Sequence, residues 1–260
     1  MKTNSLGFIG GGRITKIFLQ AFANKKAAFQ SIVVFDTNIE VLNTLKTQFP
    51  QIKIAENIQH AALQPTVLIA LHPPVIMETL DKIGETVSSD SLVVSLAPKI
   101  TIEKMASKLK TANIARMIPN ATSFINEGYN PVTFAPGFAM NEKGKLLELL
   151  RLMGKTFEVA ENKLEAYALL SAMLPTYFWF QWNELTKLGI QMGLSEEESK
   201  DSVQQTLVAS INLMFESGLS PEQVMDLIPV KPIGEHQTQI AEIYRTKLMG
   251  LFEKIKPLEW

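Results

Sequence analysis

The sequence predicts an α/β protein in two parts: a doubly wound, mostly parallel sheet over residues 1–160 and an all-α region over residues 161–260. Three observations carry that expectation. Short apolar runs alternate with helical spacings through the first part, a glycine turn joins the first run to the first helix, and from Lys163 onward only helical patterns remain.

Leu6-Gly7-Phe8-Ile9 is an apolar run that ends in Gly10-Gly11-Gly12, and Ile14, Ile17, Phe18, Ala21 and Phe22 start a helical pattern at once. Ile32-Val33-Val34-Phe35 reads as the second strand and closes on Asp36; Ile39, Val41, Leu42 and Leu45 then space a helix as far as Gln48. A short strand covers residues 52–55. Thr66 to Leu71 is a continuous apolar run stopped by His72-Pro73-Pro74, the pattern of a strand covered on both faces. Helices are expected at 75–84, 101–109 and 141–153, and strands at 91–95, 113–117 and 156–159.

In the second part, residues 167–192 read as a long helix that is apolar almost all round, with Tyr177, Phe178, Trp179, Phe180 and Trp182 close together. Such a helix must be buried. Pro175 removes a backbone donor there and marks a kink or a break. Ser195 with Glu198, and Ser220-Pro221 with Gln223, have the spacing of capped helix starts, and a last helix runs over about 236–254. Glu196 to Glu198 read as a negatively charged first turn rather than a ligand cluster. A helical region of this size has too much apolar surface to shield alone, so dimerisation or a higher homo-oligomer is expected.

Composition narrows the function. Hydrophobic residues make up 46% and charged residues 20% of 260, with net charge −1, so nothing points to nucleic acid or an anionic membrane surface. Cysteine is absent, which excludes disulfides, thiolate metal sites and cysteine nucleophiles, and no metal site is expected. With no apolar run of about 18 residues and no charged leader before the first strand, the default location is cytoplasmic.

A strand, a glycine turn and a helix N-terminus together suit a pyrophosphate, as in the Rossmann dinucleotide fold. Gly10 would allow the tight turn and Gly12 the close approach of backbone to phosphate, with Gly11, Arg13 and Ile14 alongside. Thr15 occupies the position where the fingerprint expects Gly or Ala. Asp36, about 20 residues on, can accept hydrogen bonds from an adenosine ribose. A carboxylate there favours NAD over NADP, although Thr37, Asn38 and Arg13 could still take a 2′-phosphate. The ends of the other strands add Leu71, His72, Pro73, Ala97 and Asn120 as cofactor-side candidates. Asn120 could bond a carboxamide or close an Asx-turn on its own backbone.

Several stretches together resemble the pyrroline-5-carboxylate reductase family, in the family's order from Gly7 to about Lys247. They are Gly7-Phe8-Ile9-Gly10-Gly11-Gly12, Ala70-Leu71-His72-Pro73, Arg116-Met117-Ile118-Pro119-Asn120 with Glu127-Gly128, Pro175-Thr176-Tyr177 with Glu184-Leu185, and Met192-Gly193-Leu194. The resemblance implies a Rossmann domain followed by a helical dimerisation domain, and reduction of a cyclic, carboxylate-bearing imine by NADPH or NADH. Two stretches depart from it. Ser171-Ala172-Met173-Leu174-Pro175 stands where the family has Ser-Gly-Ser-Gly-Pro, and Lys231-Pro232-Ile233-Gly234-Glu235-His236 where it has Ser-Pro-Gly-Gly-Thr-Thr. Lys231 could hold a carboxylate as a point charge and His236 could move a proton, which makes them the catalytic candidates. The alternatives are a reductase for another imine or carbonyl compound, or an NAD(P)H-binding protein without turnover.

Overall fold

A computed structural model describes residues 5–257. Eight strands form one sheet: β1 Leu6–Ile9, β2 Ile32–Phe35, β3 Lys53–Ile54, β4 Thr66–Ile69, β5 Leu92–Ser95, β6 Ile114–Met117, β7 Gly128–Phe134 and β8 Gly154–Glu158. Between them lie helices α1 Arg13–Asn24, α2 Ile39–Gln48, α3 Ile58–Ala62, α4 Pro73–Ile83, α5 Ile102–Ala106 and α6 Met140–Arg151. The strand order is β3-β2-β1-β4-β5-β6-β7-β8, parallel throughout except where β7 pairs antiparallel with β6. The mostly parallel, doubly wound expectation therefore holds.

Alternate residues of each central strand feed two cores, which is why these strands read as unbroken apolar runs. Phe8, Val34, Leu68 and Val94 pack with Phe18, Phe22, Leu45 and Leu146 on the face of α1, α2 and α6. Ile9, Val33, Val67 and Val93 pack with Ile76, Leu80, Ile83 and Met105 on the face of α4 and α5. Chain order reverses direction between β1 and β4, and the carboxyl ends of those two strands are where ligands settle in such sheets. One strand was not expected: β7 contains Gly128, Asn130 and Pro131, residues that read as a turn.

The described chain forms two compact units, residues up to Ala172 together with those from Phe252, and Met173–Leu251. The division by contacts thus lies at 172/173, twelve residues beyond the expected 160/161. Residues 161–172 belong with the sheet because two of their carboxylates are tied to it. Buried Arg116 donates from Nη1 to Glu161 Oε1 at 2.8 Å and from Nη2 to Glu165 Oε1 at 2.6 Å. Those same oxygens accept the Ile102 amide at 2.7 Å and the Lys99 amide at 2.9 Å. Ile255 returns to pack on Ile118, Leu164 and Ala168.

After a short helix α7, Leu164–Tyr167, and a π-helical turn at Ala168–Ala172, the second unit contains α8 Leu174–Gln191, α9 Glu196–Glu216, α10 Pro221–Asp226 and most of α11 Gln237–Ile255. Pro175 sits in the first turn of α8, so it marks a helix start, where its missing N–H costs nothing. Both expected capping boxes form, at Ser195/Glu198 and Ser220/Gln223. The Ser195 backbone N–H donates to Glu198 at 2.8 Å and, with the Ser195 hydroxyl, holds its carboxyl below the ordinary glutamate value. The aromatic helix departs from expectation within this chain: α8 has no buried residue, with Trp179 47% and Phe180 67% exposed.

Candidate dinucleotide site and a separate loop groove

The glycine turn is built by close approach of two strands. Gly10 has φ +103°, and a Cβ there would stand 2.4 Å from the Ala70 carbonyl oxygen, so only glycine fits where β1 meets the end of β4. Its N–H donates to Phe35 O at 2.7 Å. Thr15, fully buried, donates from Oγ1 to the Gly10 carbonyl at 2.5 Å. That bond explains the departure from Gly or Ala: a small residue is accepted because its hydroxyl clamps the turn.

Gly12 differs from Gly10. It is the N-cap of α1, no side chain caps the helix, no acid lies in the first turn, and a Cβ on Gly12 would meet nothing within 4 Å. The amides that begin an α-helix have no intrahelical acceptor, and those of α1, at the positive end of the helix dipole, have no side-chain cap. A pyrophosphate fits that cradle. Arg13 on the first turn is exposed and Ile14 packs partly against the core.

Beside the turn lies a cleft of about 570 Å³ whose lining includes Gly10, Asp36, Thr37, Glu56, Leu71 and Glu78. The Asp36 carboxylate is held at both oxygens, Oδ2 accepting the Gly11 amide at 2.7 Å and Oδ1 the Asn38 amide at 2.8 Å. One lone pair on each oxygen remains for a ligand hydroxyl. Gly11 thereby spends its N–H on Asp36.

Three candidates sit otherwise than expected. The Asn38 side chain caps α2, accepting the Glu40 amide at 2.9 Å and the Val41 amide at 3.4 Å. Asn120 is buried and committed to protein: Nδ2 donates to Ser171 O at 2.8 Å, and Oδ1 accepts both the amide and the hydroxyl of Thr122. Its Asx-turn reading is the one realised. Ala97, 3% exposed, packs its methyl into the core, leaving only backbone for a ligand. His72 is the exposed N-cap of α4 and makes no capping bond, and Pro73 opens that helix.

In the helical unit, Lys231 lines an apolar groove of about 560 Å³ with Val224, Ile228, Val230, Ile233 and Ile240. His236 lies outside that lining on a short 3-10 turn, its Nε2 3.4 Å from Glu235 Oε1. The two catalytic candidates therefore do not share one pocket. Sequence reasoning missed Glu56 and Glu78 in the cleft, and Glu161 and Glu165 around Arg116. Only the second pair left a signal, two like charges four residues apart that need a cation.

Residues 5–99 match the family model described as NADP oxidoreductase coenzyme F420-dependent, and residues 161–252 match the pyrroline-5-carboxylate reductase dimerisation model. The pyrroline-5-carboxylate reductase of Corynebacterium melassecola is 24% identical over 252 residues, covering 95% of this chain and 93% of that one. The two matched segments, in that order, together with this relative, support a member of the pyrroline-5-carboxylate reductase family. The reductase of Escherichia coli strain K12 is also 24% identical, over 86% of this chain and 84% of its own. Among solved structures, pyrroline carboxylate reductase from Plasmodium falciparum with NADP bound matches at TM-score 0.77 and 20% identity, over 98% of this chain and 96% of that one. The reductase of Streptococcus pyogenes matches at 0.75 and 18%, over 97% and 96%. These likenesses confirm the Rossmann-type sheet followed by the helical dimerisation region that the sequence predicted, and the match to the dimerisation model is consistent with a homo-oligomer.

Proposed function

We propose that this chain is a cytoplasmic, homodimeric pyrroline-5-carboxylate reductase that uses NADH or NADPH. The observation that carries the reading is the uncapped start of α1 behind Gly12, set at the reversal point of the sheet, in a chain aligned to such reductases over 95% of its length. When bound, the nicotinamide supplies a hydride to the carbon of the substrate C=N bond. The protein's part is positioning. The Gly10 turn and the first-turn amides of α1 hold the pyrophosphate, Asp36 orients the ribose, and the ends of β4 and β5 place Leu71 and Ala97 backbone toward the cofactor.

Lys231, which lines the loop groove, would hold the substrate carboxylate as a point charge, whereas His236 lies outside that lining and takes no part in that contact. Lys231→Ala is expected to raise KM for a carboxylate substrate with little change in kcat. An unchanged KM removes it from the pocket. One observation supports a second reading, a different imine: the groove beside Lys231 is lined by branched apolar side chains that suit a bulkier, more hydrophobic carboxylate. The deciding experiment is the initial rate of cofactor loss at 340 nm with 1-pyrroline-5-carboxylate. Turnover above the enzyme-free blank supports the first reading. Nucleotide binding without turnover favours the second.

A further inference from the structure

The cleft beside Gly10 selects between the two nicotinamide cofactors. We propose that it takes the adenosine of a dinucleotide whose ribose carries a free 2′-hydroxyl, so that NADH is the working cofactor and NADPH is rejected. The inference rests on the dinucleotide-binding reading above and deepens it.

Because Gly10 lines the same cleft as Asp36, a pyrophosphate on the glycine turn delivers the adenosine ribose to that carboxylate. The charged side chains lining the cleft are Asp36, Glu56, Glu78 and Lys82. Lys82 Nζ is 2.6 Å from Glu78 Oε1, so these two offset one another and the acids Asp36 and Glu56 stand uncompensated. A phosphate monoester carries about −1.5 to −2 charge at pH 7 and accepts, rather than donates, strong hydrogen bonds. Facing a carboxylate, it finds repulsion, and the donors along the cleft are the neutral Thr37, Asn57, Gln59 and Thr79 and a Lys82 already paired with Glu78. A 2′-hydroxyl finds an acceptor that is already oriented, because the Gly11 and Asn38 amides fix both oxygens of Asp36.

Of the three residues that could have received a 2′-phosphate, Thr37 lines the cleft with a neutral hydroxyl and no charge, and the other two are placed elsewhere. The Asn38 side chain is spent on the first turn of α2, and Arg13 is not among the residues that line the cleft.

The test is the dissociation constant of NADH and of NADPH for the purified full-length protein, read by nucleotide fluorescence without substrate. NADH is expected to bind more tightly by roughly tenfold or more, a difference of about 1.4 kcal/mol. The gap should narrow as salt rises, since repulsion at this half-exposed site is screened. Equal binding, tighter binding of NADPH, or no binding of either overturns the proposal.

Asp36→Ser removes the charge and is expected to bring the ratio close to one, whereas a ratio unchanged in the folded variant overturns the proposal. If Asp36→Ser does not fold, the wild-type ratio and its salt dependence decide alone. Selective NADH binding with no turnover of 1-pyrroline-5-carboxylate fails the reductase reading and leaves this one standing. Turnover that prefers NADPH does the reverse.

Discussion

The sheet unit and the helical unit handle apolar surface in opposite ways. Every buried hydrophobic core residue among the described residues, from Leu6 to Leu169, lies in the sheet unit, whereas in Met173–Leu251 the one buried side chain is Ser199. The sheet unit also spends its polar groups internally: the Arg116 guanidinium meets two carboxylates, Thr15 locks the glycine turn, and Asn120 ties two segments together. The helical unit leaves Phe180, Phe215, Ile228 and Val230 more than half exposed. One unit buries its apolar side chains within its own chain; the other leaves them open, as a region matching a dimerisation model would. That division suits an enzyme whose nucleotide turn must be rigid before any partner arrives.

The largest effect is expected where the helical unit depends on its partner. Phe180 is 67% and Phe215 81% exposed, and covering a phenylalanine stabilises by about 1.5–3 kcal/mol, counted twice across a symmetric interface. Phe180→Asp combined with Phe215→Asp should convert the homo-oligomer to monomer in sedimentation equilibrium. An unchanged mass would place the interface on other faces.

Next comes the completeness of the sheet unit. Arg116→Met leaves the fully buried Glu165 carboxylate without its cation, a loss of about 3–5 kcal/mol that a lowered urea midpoint would report. A wild-type midpoint would mean that the buried pair contributes little.

Gly12→Val sharpens the comparison inside the sheet unit, because the space above Gly12 is the one part of the turn left open. The variant should keep nearly the wild-type melting temperature and lose at least about tenfold in nucleotide affinity, roughly 1.4 kcal/mol. Gly10→Ala should instead lower stability, since the position has φ +103° and a Cβ would press on Ala70 O. Equal affinity in Gly12→Val would move the pyrophosphate away from α1.

What the sequence revealed and what it hid follow from how local each signal is. Strands such as Thr66–Ile69 were legible because a parallel strand buried on both faces is apolar at every position, and Ser195 and Ser220 because a capping box lies within four residues. β7 was hidden because Pro131 can sit in it only by donating nothing to the ladder, which in sequence looks like a loop. The partners of Arg116 lie 45 and 49 residues away, and no periodicity joins positions so far apart. Glu56 and Glu78 reach the cleft from a loop and a helix that share no spacing with Gly10. Asp36 was placed correctly beside the turn, but its bond to the Gly11 amide, which fixes the turn against β2, depends on a contact across 25 residues.

The smallest effect separates support from contact at the edge of the cleft. Asn38 was a ligand candidate from sequence, and the folded chain uses its side chain as the cap of α2. Replacing an N-cap asparagine by alanine costs about 1 kcal/mol, because two first-turn amides lose their acceptor. Asn38→Ala should therefore lower the unfolding free energy by about 1 kcal/mol, read as a lower urea midpoint at unchanged slope, and leave the dissociation constant for NADH as it was, since the Asn38 amide that orients Asp36 belongs to the backbone and survives the substitution. Weakened binding at an unchanged midpoint would instead make Asn38 a direct ligand. A loss of both would show that α2 has to be anchored for Asp36 to face the ribose, and the cap would then act on the cofactor through the carboxylate.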